Sequence, residues 1–191
     1  MKNPKVRSRR YEIGKTLIVF SYFLLLTSRI YASSGFELTS PAFQEGEMIP
    51  EVYTCDGKNS SPPLNWTAPP QETRSFVLVV EDPDAPGGLW THWILFNLPP
   101  TIMNIPEGLP AIRNLANMER HGNNDFKQLG YGGPCPPPGA THRYVFKFYA
   151  LDNAPNLEIG ATRAEILAAV EGHVLASAEL TGRYERRRAT F

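Results

Sequence analysis

The stretch Ser75-Phe76-Val77-Leu78-Val79-Val80-Glu81-Asp82-Pro83-Asp84-Ala85-Pro86 decides the fold class. Phe76 to Val80 is an unbroken apolar run, which predicts a central strand buried on both faces. The Asp-Pro-Asp-Ala-Pro segment that follows ends it. The prolines on either side of Asp84 stiffen the turn and fix where the acids point. Two carboxylates at the end of a buried strand stand at a mouth. Taken alone, they also fit an ordinary turn whose aspartates cap their own backbone.

Working outward, strand-like runs recur at Phe36–Thr39, Leu64–Thr67, His92–Leu98, Arg143–Leu151 and Ala178–Tyr184. Between them lie the turn clusters 60–63, 68–70, 82–88, 99–100 and 132–139. Short strands bounded by Pro/Gly signals predict an all-β sandwich. Seventeen of the eighteen prolines fall after residue 32, about twice the usual frequency. They exclude a helical bundle, since a proline inside a helix costs about 3 kcal/mol. One helix is expected where Thr162-Arg163-Ala164-Glu165 forms a capping box, followed by Ile166, Leu167, Ala169 and Val170 at helical spacing and ended by Gly172. A weaker one is expected around 111–118, with most of 113–130 a loop. The reading is mainly β, an antiparallel sandwich with one or two peripheral helices.

Residues 1–16 are basic, 17–26 form a short apolar run, and small residues follow at Ala32-Ser33-Ser34. Those are the three parts of a secretory signal. The expectation is a signal peptide over 1–32 and a periplasmic or secreted domain over 33–191. An uncleaved anchor and an ordered helix stay open as alternatives. The net charge of zero hides this asymmetry. Residues 1–32 hold seven basic residues and one acid, leaving 12 basic against 18 acidic residues after them, a net −6. An acidic body argues against nucleic-acid binding through counterion release. Two cysteines, Cys55 and Cys135, are an even count in an exported chain, which suggests a disulfide; two buried thiols are the other reading.

Chemistry-bearing residues gather at strand ends. Asp82 closes the central strand. His92 opens another, where alternation puts it with Ile94 and Phe96. His142 and Tyr144 share one face of a third, opposite Arg143. The loop Gly132-Gly133-Pro134-Cys135-Pro136-Pro137-Pro138-Gly139 has glycines that could turn successive amides inward as an anion nest. Histidines and a tyrosine supply donors, and Asp82 can orient a histidine or accept a proton from a ligand hydroxyl. Each is ambiguous alone, because a lone histidine at a strand start is usually structural and the loop is equally a stiff connector. Asp82, His92 and His142 also compose a 2-His-1-carboxylate set.

Asp82-Pro83-Asp84-Ala85-Pro86, a histidine soon after, and Gly-x-Pro leading to His142-Arg143-Tyr144 resemble the phosphatidylethanolamine-binding proteins, also called Raf kinase inhibitor proteins. The segments 53–57, 61–66 and 172–176 look like the bacterial Raf-kinase-inhibitor-like branch. The resemblance spans about residues 36–185. It implies two packed antiparallel sheets in a Greek-key-like β-sandwich and a small pocket for phosphate-type anions at one end. It carries over Asp82, His92, Gly133, Pro136, His142 and Tyr144 as ligand-binding residues, with no metal and no cofactor. The segment that covers this pocket in eukaryotic members has no match in Tyr184–Phe191. It also puts the loops of Cys55 and Cys135 at one rim, so a bridge between them would close a loop of about 80 residues.

No G-x-S-x-G is present, and alternation turns Thr141 away from His142, so an enzyme is not expected. The expected function is an exported binder of small phosphate-type anions or phospholipid headgroups. The alternative is an inhibitor or scaffold acting on a protein partner, such as a protease or signalling protein.

Overall fold

The computed structural model describes residues 35–112, 115 and 119–187. Its elements are β1 (Leu38–Thr39), a short 3-10 turn (Glu51–Tyr53), β2 (Leu64–Trp66), β3 (Ser75–Asp82), β4 (Trp90–Leu98), β5 (Asn104–Ile105), β6 (Arg120–His121), β7 (Thr141–Leu151), α1 (Arg163–Val170) and β8 (Val174–Glu185). They form a three-stranded sheet, β1-β2-β5, and a five-stranded sheet, β6-β4-β3-β7-β8, with antiparallel pairing throughout both. The apolar run lies where its composition puts it: β3 is internal to the larger sheet and every residue of it is buried.

The larger sheet has two different faces. Phe76, Leu78 and Val80 of β3 join Trp93 and Leu95 of β4 and Tyr144, Phe146 and Phe148 of β7 in one core cluster with Leu38, Leu64, Trp66 and Ile105 of the small sheet. Its centre is aromatic. Trp66 packs 4.5 Å from Phe148, and Phe76 stacks 5.1 Å from Phe148, contacts of a kind that add about 0.5–1.5 kcal/mol per pair beyond burial. On the opposite face Val77, Val79, Ile94 and Phe96 receive Ile166 and Val170 of α1. The capping box starts that helix as its spacing predicts: Glu165 N–H donates to the Thr162 hydroxyl, and Thr162 N–H donates to the Glu165 carboxylate.

Four features depart from the sequence reading. β5 and β6 were not expected, because two residues carry no detectable period. The helix expected around 111–118 is not present at 111, 112 or 115; 113, 114 and 116–118 lie outside the described residues. So do residues 1–32 and with them the expected signal peptide. Among the described residues no helix is long and apolar enough to cross a membrane.

The fourth departure matters for the site. Val80 pairs with Trp93 but Glu81 pairs with Thr91, so His92 is an extra residue in β4, a β-bulge. Simple alternation would send His92 to the helix face with Ile94 and Phe96. The bulge turns it to the sandwich face, its ring 5.1 Å from that of Tyr144 and edge-on to it.

Candidate functional site

At one end of the sandwich face a cavity of about 400 Å³ opens. Its lining includes Asp82, His92, Phe126, Pro136, His142 and Arg186. Strand order explains the convergence. Asp82 ends β3, His142 enters β7 beside it, and His92 is delivered from β4 on the other side by the bulge.

Asp82 does two things at once. Its Oδ1 accepts from the Asp84 amide at 2.8 Å, which is the self-capping turn. Its Oδ2 accepts from His142 Nδ1 at 2.7 Å. Both side chains are almost fully buried. Asp84, the other acid of the motif, does not join the pocket. Its carboxylate takes the Arg143 guanidinium by Nε at 2.9 Å and Nη2 at 2.7 Å, and the Arg143 amide at 2.9 Å. Those bonds from Arg143 hold the Asp84 pKa down to about 2. The alternation that separates Arg143 from His142 and Tyr144 thus also sorts the two acids.

His92 and Gly132 clamp each other. His92 Nδ1–H donates to the Gly132 carbonyl at 2.6 Å, and Gly132 N–H donates to the His92 carbonyl at 2.9 Å. Burial holds the His92 pKa below the ordinary histidine value, against the opposing pull of the Gly132 carbonyl and the Asp82 charge. Beneath the imidazoles Tyr144 is 1% exposed. Burial, and next the Asp82 charge, push its phenol pKa up, so it stays protonated. Its hydroxyl sits against the Asp82 carboxylate and the Cys135 amide without completing a hydrogen bond.

Two carried-over residues are not among those lining the cavity: Tyr144, which is buried, and Gly133. The Gly133 amide donates to Asn59 Oδ1 at 2.7 Å. A Cβ there would lie 2.4 Å from the Tyr53 carbonyl oxygen, so the glycine serves close packing of this loop on the 53–59 loop. With the Gly132 and Gly133 amides both committed, the loop makes no nest of successive free amides. Its contribution to the pocket is apolar: Pro136 and Pro137 form a wall, facing Ala85 and Pro86.

The rim is covalently held. Cys55 and Cys135 form a disulfide with a Cα–Cα distance of 5.4 Å, reinforced by the Cys55 amide donating to the Pro134 carbonyl. The sequence reading missed Trp90, Phe126 and Arg186. Trp90 and Phe126 meet edge to face at 5.5 Å and are both partly exposed. Phe126 lies in the stretch read as plain loop, and Arg186 just beyond the last strand; only folding brings them here. Among the described residues no group of three or more His, Cys, Asp or Glu side chains is arranged to hold a metal ion, so the two histidines and Asp82 do not compose one.

The family model for phosphatidylethanolamine-binding protein matches residues 39–185. A UPF0098 protein of Methanothermobacter thermautotrophicus is 48% identical over 149 residues, covering 78% of this chain and 98% of its own. One from Aquifex aeolicus is 41% identical over 167 residues, covering 85% and 97%. The crystal structure of a putative phosphatidylethanolamine-binding protein homologue from Chlamydia trachomatis superposes with a TM-score of 0.74 at 44% identity, over 81% of this chain and 99% of that one. E. coli YbcL, described as a new member of the mammalian family, gives 0.74 at 33% identity, over 81% and 100%. With its fold, its pocket-forming motifs and nearly all of its described length accounted for in this way, the chain belongs to the phosphatidylethanolamine-binding protein family.

Proposed function

We propose that the protein is a binder of small phosphate-type anions, free or as the headgroup of a phospholipid, and that it works outside the cytosol as an exported protein. The observation that carries this reading is a cavity lined by two imidazoles, His92 and His142, with the ring of buried Tyr144 edge-on to His92 at 5.1 Å. Each imidazole spends Nδ1 inside the protein, on Gly132 or on Asp82. That leaves Nε2 as the nitrogen for a ligand: an acceptor from a protonated oxygen when the ring is neutral, a donor to an anion when it is charged. The apolar walls suit the carbon part of an ester.

The reading is of binding without a chemical step. The His142–Asp82 pair has the form of a general base with its orienting acid. Among the described lining residues, however, there is no serine or threonine, and the one cysteine is disulfide-bonded. Thr141 lies outside the pocket and donates to Glu185. The disulfide supports an oxidising location. Calorimetry with phosphoethanolamine tests the binding itself: affinity is expected to fall at least tenfold in His142→Ala, and equal affinity in the two proteins overturns the reading.

A further inference from the structure

The pocket as described has an electrostatic deficit. Asp82 brings a negative charge to its floor, and burial disfavours the charged form of His92. An anion entering at neutral pH needs a cation that does not depend on imidazole protonation. Arg186 is the residue in a position to supply it. It follows β8, lines the cavity together with His142, Pro136 and Pro137, and is partly exposed there.

Its geometry is held from three directions. The Arg186 carbonyl accepts from the Gly139 amide at 2.8 Å, which staples the end of β8 to the proline loop. Its Nε–H is shared between Asp56 Oδ1 at 3.0 Å and Oδ2 at 3.3 Å. Asp56 in turn accepts from the Tyr184 hydroxyl at 2.7 Å and stands next to Cys55, whose disulfide partner Cys135 also lines the pocket. Asp56 engages only the Nε edge of the guanidinium. The two Nη groups, four of the five N–H donors of an arginine, make no hydrogen bond among the described residues.

A guanidinium anchored by one edge, with its fork free at a cavity wall, is preorganised for bidentate contact with a tetrahedral oxyanion. We propose that Arg186 is an anion-binding residue of this pocket, gripping a phosphate-type oxyanion through its Nη atoms while Asp56 and the Cys55–Cys135 bridge fix its position. This assigns to the chain's terminal segment a direct role that the pocket motif does not include, and it rests on the anion-binding reading above. It also predicts selectivity: a group with two oxygens to offer the fork is favoured over a singly presented one.

The test is calorimetry with inorganic phosphate on the full mature protein, with wild type, Arg186→Gln, Arg186→Lys and His142→Ala compared at one pH and ionic strength, and the unliganded melting temperature of each recorded. The glutamine variant is expected to bind more than tenfold more weakly at an unchanged melting temperature. Lysine, which keeps the charge and loses the fork, should fall between it and wild type. If Arg186→Gln binds as wild type does while His142→Ala does not, the role of Arg186 is overturned and the pocket reading stands. If wild type binds no phosphate-type probe, both fall. Should the glutamine variant melt early, the lysine variant decides: wild-type affinity there overturns the bidentate grip.

Discussion

Glu81 and Asp82 are neighbours on β3, both buried, and they point to opposite faces of the same sheet. Glu81 faces the helix side and is saturated with cations: Lys147 Nζ lies 2.8 Å from Oε2, and Arg163 Nε bonds Oε1. Asp82 faces the sandwich side and has one ring partner, His142, beside an open cavity. A carboxylate buried against two fixed cations has no capacity left for a ligand. One buried against a single titratable ring at the wall of a cavity keeps such capacity. Burial of an acid is therefore no guide to function by itself; what surrounds it is.

The comparison can be broken in three ways. The largest effect is expected from the covalent bond, which lies on the Asp82 side only. Replacing Cys55 and Cys135 together by alanine opens a loop of 80 residues, a loss of up to about 4–5 kcal/mol on the chain-entropy estimate. Urea unfolding measures it, and phosphate affinity should fall as well, because the rim is no longer pinned. Unchanged affinity would show that the pocket walls hold without the bridge.

The next effect separates the two acids. Lys147→Met with Arg163→Ala strands the Glu81 charge and is expected to cost about 3–5 kcal/mol, as for other buried pairs deprived of a partner, with phosphate affinity unaltered. Asp82→Asn keeps the shape but only one of the two acceptors that serve the Asp84 amide and His142, and is expected to cost less, about 1–3 kcal/mol in unfolding, with a clear change in affinity. A large stability loss in Asp82→Asn would make both acids structural and erase the contrast.

The smallest effect is in pH. His92 and His121 are both held below the ordinary histidine pKa, chiefly by burial. The unfolded chain therefore binds more protons than the folded one from the normal value of about 6.5 down to the lowered values. Stability from these groups is fully present above about pH 6.5 and is lost as pH falls through that range. Melting temperature between about pH 8 and 5 should drop on acidification, and bound phosphate, which favours protonated imidazole in His92 but does not reach His121, should reduce the drop. If His92→Gln leaves the acid-induced drop unchanged in size, His92 plays no part in it.

What sequence alone decided is what depends on neighbours along the chain. The apolar run of β3 became an internal strand because a strand inside a sheet covered on both sides buries successive side chains alternately on its two faces. Thr162 and Glu165 started a helix because a capping box closes within four residues. His142 and Tyr144 share a face because a regular strand has a period of two. The identities of Asp82, His142 and Pro136 as pocket residues were legible from motif and order. Only the tertiary structure decided the rest. His92 reached the pocket through a bulge, and a bulge is a mismatch between two strands that neither strand encodes by itself. Gly133, a nest residue by composition, spends its amide on Asn59, which is 74 positions away. Arg186 meets Asp56 across 130 positions. Such contacts exist only once the sheet has paired, because their energies depend on which distant groups the chain's closure brings within hydrogen-bonding reach.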